Sequence, residues 1–399
     1  MNKIIDPETL DLTYEQLVLA YYDCRRNKRN SDKQVEFERD LGVNLMDLYR
    51  RLKNGSWIPG KSITFIVTRP KPREVFAACF EDRVVHHLLV RQIEHLFEQV
   101  FIEDNYNCRK GKGVLFGVKR LSQKIKDMSD NYTKKLYIAK FDLSGFFMSI
   151  NKKILCQNLL DFLKEKYQYK NLEFILWITK LIVMHCPEEN CEYKGDPKLK
   201  SLISPEKSLF GTGPNLGLPI GNLTSQIFAN FYLHEFDIIS STKFNGGYGR
   251  YVDDFYILSE SKNKIKRFKK FAKNYLWDEY RVKLHDKKYY IQEVKKGVKF
   301  IGYVVKPGRI YIGNTTRANL HEIIYRMNCF INETQNLSEE ELISCLKHFE
   351  SQWNSYIGFM IHANSYNLRK QAWDELDPGW RQYFTRNPKF NVRLRKRYR

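Results

Sequence analysis

Apolar positions along the chain change period several times, and each change marks an element. Between residues 8 and 55 they recur every three to four positions, which predicts helices. Residues 61–76 alternate and predict strands; they contain Arg69-Pro70-Lys71-Pro72-Arg73. A helix is expected at about 81–99, followed by a basic, glycine-containing loop at 107–113 that opens another helix. From Lys135 the alternation returns and ends at Asp142. A loop rich in Pro, Gly and Lys fills about 186–216, and a helix follows Gly217-Leu218-Pro219-Ile220-Gly221. The segment 249–258 predicts a tight hairpin with Asp253-Asp254 at its turn. A basic amphipathic helix is expected at about 261–279. A strand pair around 299–303 and 309–312 precedes helices from about 316 to 376. The pattern is of the mixed α+β class, with no internal repeat.

Composition adds one strong constraint. A net charge of +21 over 399 residues predicts a polyanionic partner, because self-repulsion otherwise opposes compaction. Basic clusters include Arg25-Arg26-Asn27-Lys28-Arg29, and 386–399 holds seven basic residues and no acidic one. Among the 25 Tyr and 26 Phe, base stacking could use some, and most are expected inside the core. The N-terminus, Met1 to Pro7, lacks the apolar stretch of a signal peptide. The greasiest segment, 174–184, is broken by Lys180 and too short for a bilayer. Eight scattered cysteines suit a reducing compartment, so a cytoplasmic protein with no membrane partner is expected. His185, Cys186 and Cys191 cluster, but a zinc site there lacks a fourth ligand.

Two adjacent carboxylates on an apolar hairpin call for a neutralising cation. Asp142 ends a separate alternating strand. Two-metal phosphoryl transfer needs carboxylates converging from separate strands, and this trio supplies them. Each acid alone reads equally well as a solvated turn or a strand-ending residue.

Four motifs sharpen the reading. They are Phe141-Asp142-Leu143-Ser144-Gly145-Phe146-Phe147, Leu218-Pro219-Ile220-Gly221-Asn222-Leu223-Thr224-Ser225-Gln226, Tyr251-Val252-Asp253-Asp254 and Phe300-Ile301-Gly302-Tyr303. In this order they resemble successive motifs of reverse transcriptases, over roughly 60 to 305. The resemblance implies a right-hand polymerase with fingers, an antiparallel palm sheet plus helices, and a helical thumb. It divides the chain into an N-terminal helical extension (1–55), fingers (56–135), palm (136–160), fingers or insertion (161–215), palm (216–305), helical thumb (306–385) and basic tail (386–399).

By the same resemblance Asp142 and Asp253, with the adjoining Leu143, bind two Mg²⁺ ions (Mn²⁺ being an alternative), and Asp254 supports them. Phe147 falls at the steric gate that excludes a ribose 2′-hydroxyl. Arg73 meets the incoming dNTP triphosphate, a task suited to a forked guanidinium, with Lys71 and Lys61 beside it. Lys288, with Lys287 as its rival, protonates pyrophosphate. Ile220, Gly221 and Gln226 border the nucleotide, and Phe300, Ile301, Gly302 and Tyr303 form the primer grip. Arg109, Lys110 and Lys112, and in the tail Arg393, Arg395, Lys396 and Arg397, are expected on the nucleic-acid backbone.

Departures refine the subtype. Ile220 stands where intron and retroviral enzymes usually carry Gln, and Ser225-Gln226 where intron enzymes carry Ser-Pro. The combination resembles reverse transcriptases of diversity-generating retroelements, as does the stretch from Ser355 to Tyr366. That likeness implies error-prone cDNA synthesis on template RNA from a primer, with a small basic helical accessory protein or a structured noncoding RNA as partner. An antiviral-defence reverse transcriptase copying a dedicated noncoding RNA remains open, and so does a non-catalytic RNA-binding scaffold. The 96 residues after Tyr303 suit a thumb rather than an added RNase H domain.

Overall fold

The computed structural model describes residues 12–26, 31–69 and 71–398. The N-terminal heptapeptide, positions 27–29 of the basic cluster, Pro70 and the terminal Arg399 lie outside the described residues. The chain is mixed helix and sheet, the α+β class that its pattern predicts. It divides into two units. The first comprises Met1–Cys108, Lys140–Tyr256 and Asn263–Tyr290; the second comprises Arg109–Ala139, Ile257–Lys262 and Ile291–Arg399. Among the described residues no helix is long and apolar enough to cross a membrane.

The strands are β1 (Ser62–Val67), β2 (Arg73–Ala77), β3 (Tyr137–Asp142), β4 (Cys191–Tyr193), β5 (Tyr248–Tyr251), β6 (Asp254–Ser259), β7 (Tyr290–Glu293), β8 (Val298–Phe300), β9 (Tyr303–Lys306), β10 (Arg309–Ile312), β11 (Phe384–Arg386) and β12 (Val392–Leu394). One sheet has the order β5-β6-β3-β7. In the first unit β1 lies between β2, antiparallel to it, and β4, parallel to it. The helix Phe80–Val100 buries Val84, Leu88, Ile93 and Phe97, the stripe expected of an amphipathic helix, and Glu81 and Asp82 sit in its first turn, where the macrodipole favours acids. The helix Tyr14–Arg25 packs on it, opened by a capping box between Thr13 and Gln16. The helix Leu223–Tyr232 is buried nearly all round.

In the second unit β8, β9 and β10 form an antiparallel meander. Here the structure differs from the single strand expected over 299–303. Ile301 and Gly302 form a two-residue turn with φ of 46° and 84°. Two successive positive φ values match the right-handed twist of a hairpin, and glycine tolerates the second at no steric cost. A Cβ on Gly302 would also lie 2.9 Å from Phe359 Cζ. The helices Asn314–Phe330, Glu339–Met360 and Tyr366–Asp374 follow, the second begun by a Ser338–Glu341 capping box. The basic stretch at the end folds into the β11–β12 hairpin. Trp353 Nε1 donates to the Phe390 carbonyl at 2.8 Å, and Arg395 donates twice to the Arg381 carbonyl.

Candidate active site

Strand alternation decides which side chains meet. Lys140 and Asp142 share one face of β3, and Phe141 takes the other. Phe141 is fully buried and stacks at 4.9 Å on Phe255, the residue after Asp254. That aromatic pair fixes a register in which the polar positions of β3 and β6 share the opposite face. There Lys140 Nζ lies 2.8 Å from Asp254 Oδ2. The turn Val252-Asp253 joins β5 to β6, and Leu143 donates its amide to the Asp253 carbonyl at 3.2 Å. Asp142 and Asp253, distant in sequence, are thereby brought to one locus.

The electrostatics of that locus are strained. Burial pushes the Asp253 carboxyl up to about 6, and repulsion from Asp142 and then Asp254 adds to the rise. Lys288 opposes it. Asp142 Oδ2 accepts from Lys288 Nζ at 2.8 Å, whereas Oδ1 is buried with no hydrogen-bond partner. An orphaned carboxylate oxygen beside a carboxyl that resists ionisation is a place that a cation relieves. Mg²⁺ is commonly held by one or two carboxylates together with substrate phosphates, and the pair Asp142–Asp253 fits that habit. Among the described residues no group of three or more His, Cys, Asp or Glu side chains is placed to hold a metal ion. Asp254, engaged by Lys140, leaves Asp142 and Asp253 as the residues that would hold one. Leu143 is buried and donates its amide to the Asp253 carbonyl; its own carbonyl oxygen is the atom that a metal ion would take.

The hairpin turn is itself forced. Val252 has φ of 58°, a region that β-branched residues rarely enter. Arg250, wholly buried, donates from Nη1 to the Val252 carbonyl at 2.9 Å. Its Nε and Nη2 reach Asp237 at 2.7 and 2.6 Å, and the Tyr248 hydroxyl donates to the same carboxylate. Sequence reasoning singled out neither Lys140 nor the Arg250–Asp237 pair. The alternation of β3 placed Lys140 beside Asp142 and could have revealed it. Asp237 sits in the helix His234–Lys243, and no local signal ties it to Arg250.

The other candidates of the first unit gather around β2. Phe147, in the short helix Phe146–Ser149, gives its carbonyl to the Leu218 amide at 2.8 Å. Phe147 and Ile220 pack on the same buried cluster of Phe76, Met148 and Leu209. The Phe76 amide donates to the Ile220 carbonyl at 2.8 Å. Gly221 has φ of 123°, and a Cβ there would lie 2.8 Å from Val75 Cγ1 and 2.9 Å from the Phe76 carbonyl oxygen. Only glycine lets this loop lie so closely on β2. Arg73 is exposed at the start of β2, and its charge partly offsets the burial that raises the Tyr251 hydroxyl. Gln226 accepts from the Cys108 thiol. Lys71 and Lys287 are exposed, and Lys61 lies 3.9 Å from Glu192.

Within the second unit, Phe300, Ile301, Gly302 and Tyr303 make the β8–β9 turn. Tyr303 stacks on Phe359 at 4.3 Å and donates its hydroxyl to the Phe359 carbonyl. Arg109, Lys110 and Lys112 occupy the loop before the helix Val114–Met128, with Lys112 Nζ 4.1 Å from the Phe116 ring centre. Arg393, Arg395, Lys396 and Arg397 are exposed on and after β12.

Among the comparisons with known proteins, a family model identifies the family. A model described as reverse transcriptase (RNA-dependent DNA polymerase) matches residues 64–305. Among solved structures, apo telomerase from Candida tropicalis is similar at 13% identity over 79% of this chain and 55% of that one, with a TM-score of 0.47. Telomerase from Candida albicans in complex with the TWJ fragment of telomeric RNA is similar at 11% identity over 79% and 59%, with a TM-score of 0.44. The chain thus spans little more than half the length of these telomerases. No curated protein matches the sequence. The mixed helix-and-sheet architecture is consistent with a right-hand polymerase, and with more than half of its length matched, the chain belongs to the reverse transcriptase (RNA-dependent DNA polymerase) family.

Proposed function

We propose that this protein is an RNA-directed DNA polymerase that extends a primer on template RNA by nucleotidyl transfer. The observation that carries the reading is the meeting of Asp142 and Asp253, in which Leu143 bonds the Asp253 backbone and the Asp253 carboxyl is raised to about 6. Divalent ions bound by these two carboxylates, Mg²⁺ or Mn²⁺, would activate the primer 3′-hydroxyl and neutralise the departing pyrophosphate. The new bond joins that hydroxyl oxygen to the α-phosphorus of a dNTP, and the bond to the β-phosphate oxygen breaks. Lys288, 2.8 Å from Asp142, is positioned for the proton that pyrophosphate takes up. Asp254 acts through Lys140 rather than on the substrate. Arg73 and Lys71 engage the triphosphate, Phe147 excludes the 2′-hydroxyl, and Ile220, Gly221 and Gln226 border the new base pair. The turn from Phe300 to Tyr303 grips the primer, and the basic residues around Arg109 and Arg393 follow the backbone. Fingers, palm, thumb and tail take the boundaries given above.

Ile220 favours the diversity-generating subtype. An aliphatic side chain there offers no hydrogen bond to the nascent pair, which weakens geometric selection. Template RNA, a small basic helical protein and a cytoplasmic setting go with that reading, and eight cysteines scattered along the chain support a reducing compartment. The antiviral-defence alternative shares every catalytic residue and differs in carrying a dedicated noncoding RNA.

Primer extension on an RNA template with Mg²⁺, comparing the native chain with Asp253→Ala, tests the assignment. The native protein should extend the primer, and the variant should lose activity by a factor of about 10³ or more. Equal extension by both defeats the assigned site.

A further inference from the structure

The basic helix predicted from the sequence is present as Lys262–Tyr280, and the proposed chemistry makes no use of it. Its apolar face, through Ile265, Phe268, Ala272 and Leu276, is buried in the protein. Its outer face carries no acid between Lys262 and Tyr275. Lys266, Lys270, Lys273 and Trp277 recur at steps of four, three and four, so they form one stripe along the axis. All four are exposed, Trp277 by 43% despite its size. Asp278 and Glu279 lie about 80° or more round the helix from the stripe. Among the described residues no acidic side chain pairs with Lys266, Arg267 or Lys270; Lys273 has Asp286 at 3.7 Å.

The stripe continues past the helix. Arg281 lies over the Trp277 ring at 5.9 Å and Lys283 at 5.4 Å, so two cations orient an exposed indole. The same segment then enters the active-site strand. The Lys283 carbonyl accepts from Ser144, Leu284 bridges Leu143, and the His285 amide donates to the Asp142 carbonyl. A run of cations ending in an aromatic platform thus leads to the backbone of Asp142.

We propose that the stripe Lys266–Lys270–Lys273–Trp277, with Arg281 and Lys283, binds single-stranded RNA flanking the copied region. Rows of cations that follow phosphates and an aromatic ring on which a base stacks are how single strands are held without sequence preference. A membrane fits poorly, since the apolar face that would enter it is already buried. Duplex nucleic acid offers no free base face to Trp277. The choice of RNA rests on the polymerase reading above: product DNA leaves paired to its template, so the strand still unpaired is the RNA.

The test uses the full chain and a labelled 20-nucleotide uridine RNA. Lys266→Glu/Lys270→Glu and, separately, Trp277→Ala should each bind about tenfold more weakly. The charge-reversed pair should also flatten the dependence of log affinity on log salt by roughly 1.4. The control Lys153→Glu/Lys170→Glu, exposed elsewhere on the first unit, should bind like the native chain. Unchanged binding by the stripe variants overturns the proposal, as does equal weakening by the control pair. So does equal or tighter stripe-dependent binding of the same RNA annealed to its complement, or stripe-dependent binding of phosphatidylserine vesicles with RNA binding unmoved. Extension on a template ending at its last copied base is a separate gauge. The stripe variants should retain it, and a native chain without it would defeat the polymerase reading while leaving the RNA affinities to be judged alone.

Discussion

Lys140 Nζ lies 2.8 Å from Asp254 Oδ2, with both side chains largely shielded from solvent, at 20% and 28% exposure. The pair joins β3 to β6 directly beside the locus of Asp142 and Asp253. It gives the two hairpin acids different work. Asp254 is neutralised by a lysine two positions from Asp142, and Asp253 keeps its unfavourable charge. Lys140→Met should therefore leave Asp254 unpaired, lower stability by about 1–2 kcal/mol and slow primer extension by roughly tenfold. Lys140→Met/Asp254→Asn should recover most of the stability. Urea unfolding of these two variants and of Asp254→Asn alone measures the coupling; simple additivity would show that the contact carries none.

The turn that presents Asp253 depends on Arg250. Its guanidinium bonds Asp237 twice and the Val252 carbonyl once, holding a valine at positive φ. Removing the arginine strands a buried carboxylate and frees the turn. Arg250→Met should cost about 3–5 kcal/mol and abolish extension. Arg250→Met/Asp237→Leu should regain much of the stability, because both buried charges are gone, but not the activity, because Val252 is no longer held. Restored activity in the double variant would remove the turn from the argument.

A second buried polar group responds to acid. Asp82, His86 and His185 line a small cavity between the helix Phe80–Val100 and the loop through Leu218 and Asn222. Burial holds His86 down at about 3, with His185, His87 and Arg83 adding to the effect, and holds His185 down at about 4, aided by Lys152. Both are neutral in the folded state and charge in the unfolded state below about 6.5. Their stabilisation is complete above that pH and is lost as pH falls toward 4. Asp82 acts in the opposite sense. Burial, with Glu81, raises it to about 6 against the pull of Cys79, Gly60 and Arg51, so its penalty is relieved as pH falls from 6 to 4. Asp253, also raised to about 6, adds a second gain, so two losses and two gains of about 1.4 kcal/mol per pH unit each nearly cancel in the native chain across that window. Asp82→Asn should therefore lose stability as pH falls and His86→Gln should gain it, as read from urea midpoints between pH 7 and 4. Variant midpoints that follow the native pH profile would refute the linkage.

Period changes located most elements because they are local. The helices Phe80–Val100 and Lys262–Tyr280 and the strand ending at Asp142 fall within a residue or two of their expected bounds. The β8–β9 turn was misread because Ile301 looks like a strand residue, and its positive φ is imposed by the glycine after it and by the twist of the hairpin. The acids Asp142 and Asp253 were legible as motifs. What holds them was not: Lys140 acts across strands, and Arg250 answers a carboxylate on another element. Partners fixed by tertiary register leave little trace in a single sequence.

Phe147 and Ile220 share the support of Phe76, Met148 and Leu209, so the proposed gate and the proposed fidelity position are one packed unit. The backbone ties them further. Leu218 bonds the Phe147 carbonyl, and Ile220 bonds Phe76 on β2. Shrinking the ring opens room for a 2′-hydroxyl and also loosens the loop that carries Ile220. Phe147→Val should relax discrimination against ribonucleotides by about 10–200-fold in kcat/KM, and it should raise misincorporation of deoxynucleotides as well. Ile220→Gln should lower misincorporation opposite template adenine while leaving ribonucleotide exclusion nearly unchanged, since the ring at Phe147 stays in place. Single-nucleotide insertion kinetics with matched dNTP, mismatched dNTP and NTP separate the two effects. Ribonucleotide entry unchanged in Phe147→Val would place the gate elsewhere, and fidelity unmoved by Ile220→Gln would withdraw the argument for the error-prone subtype.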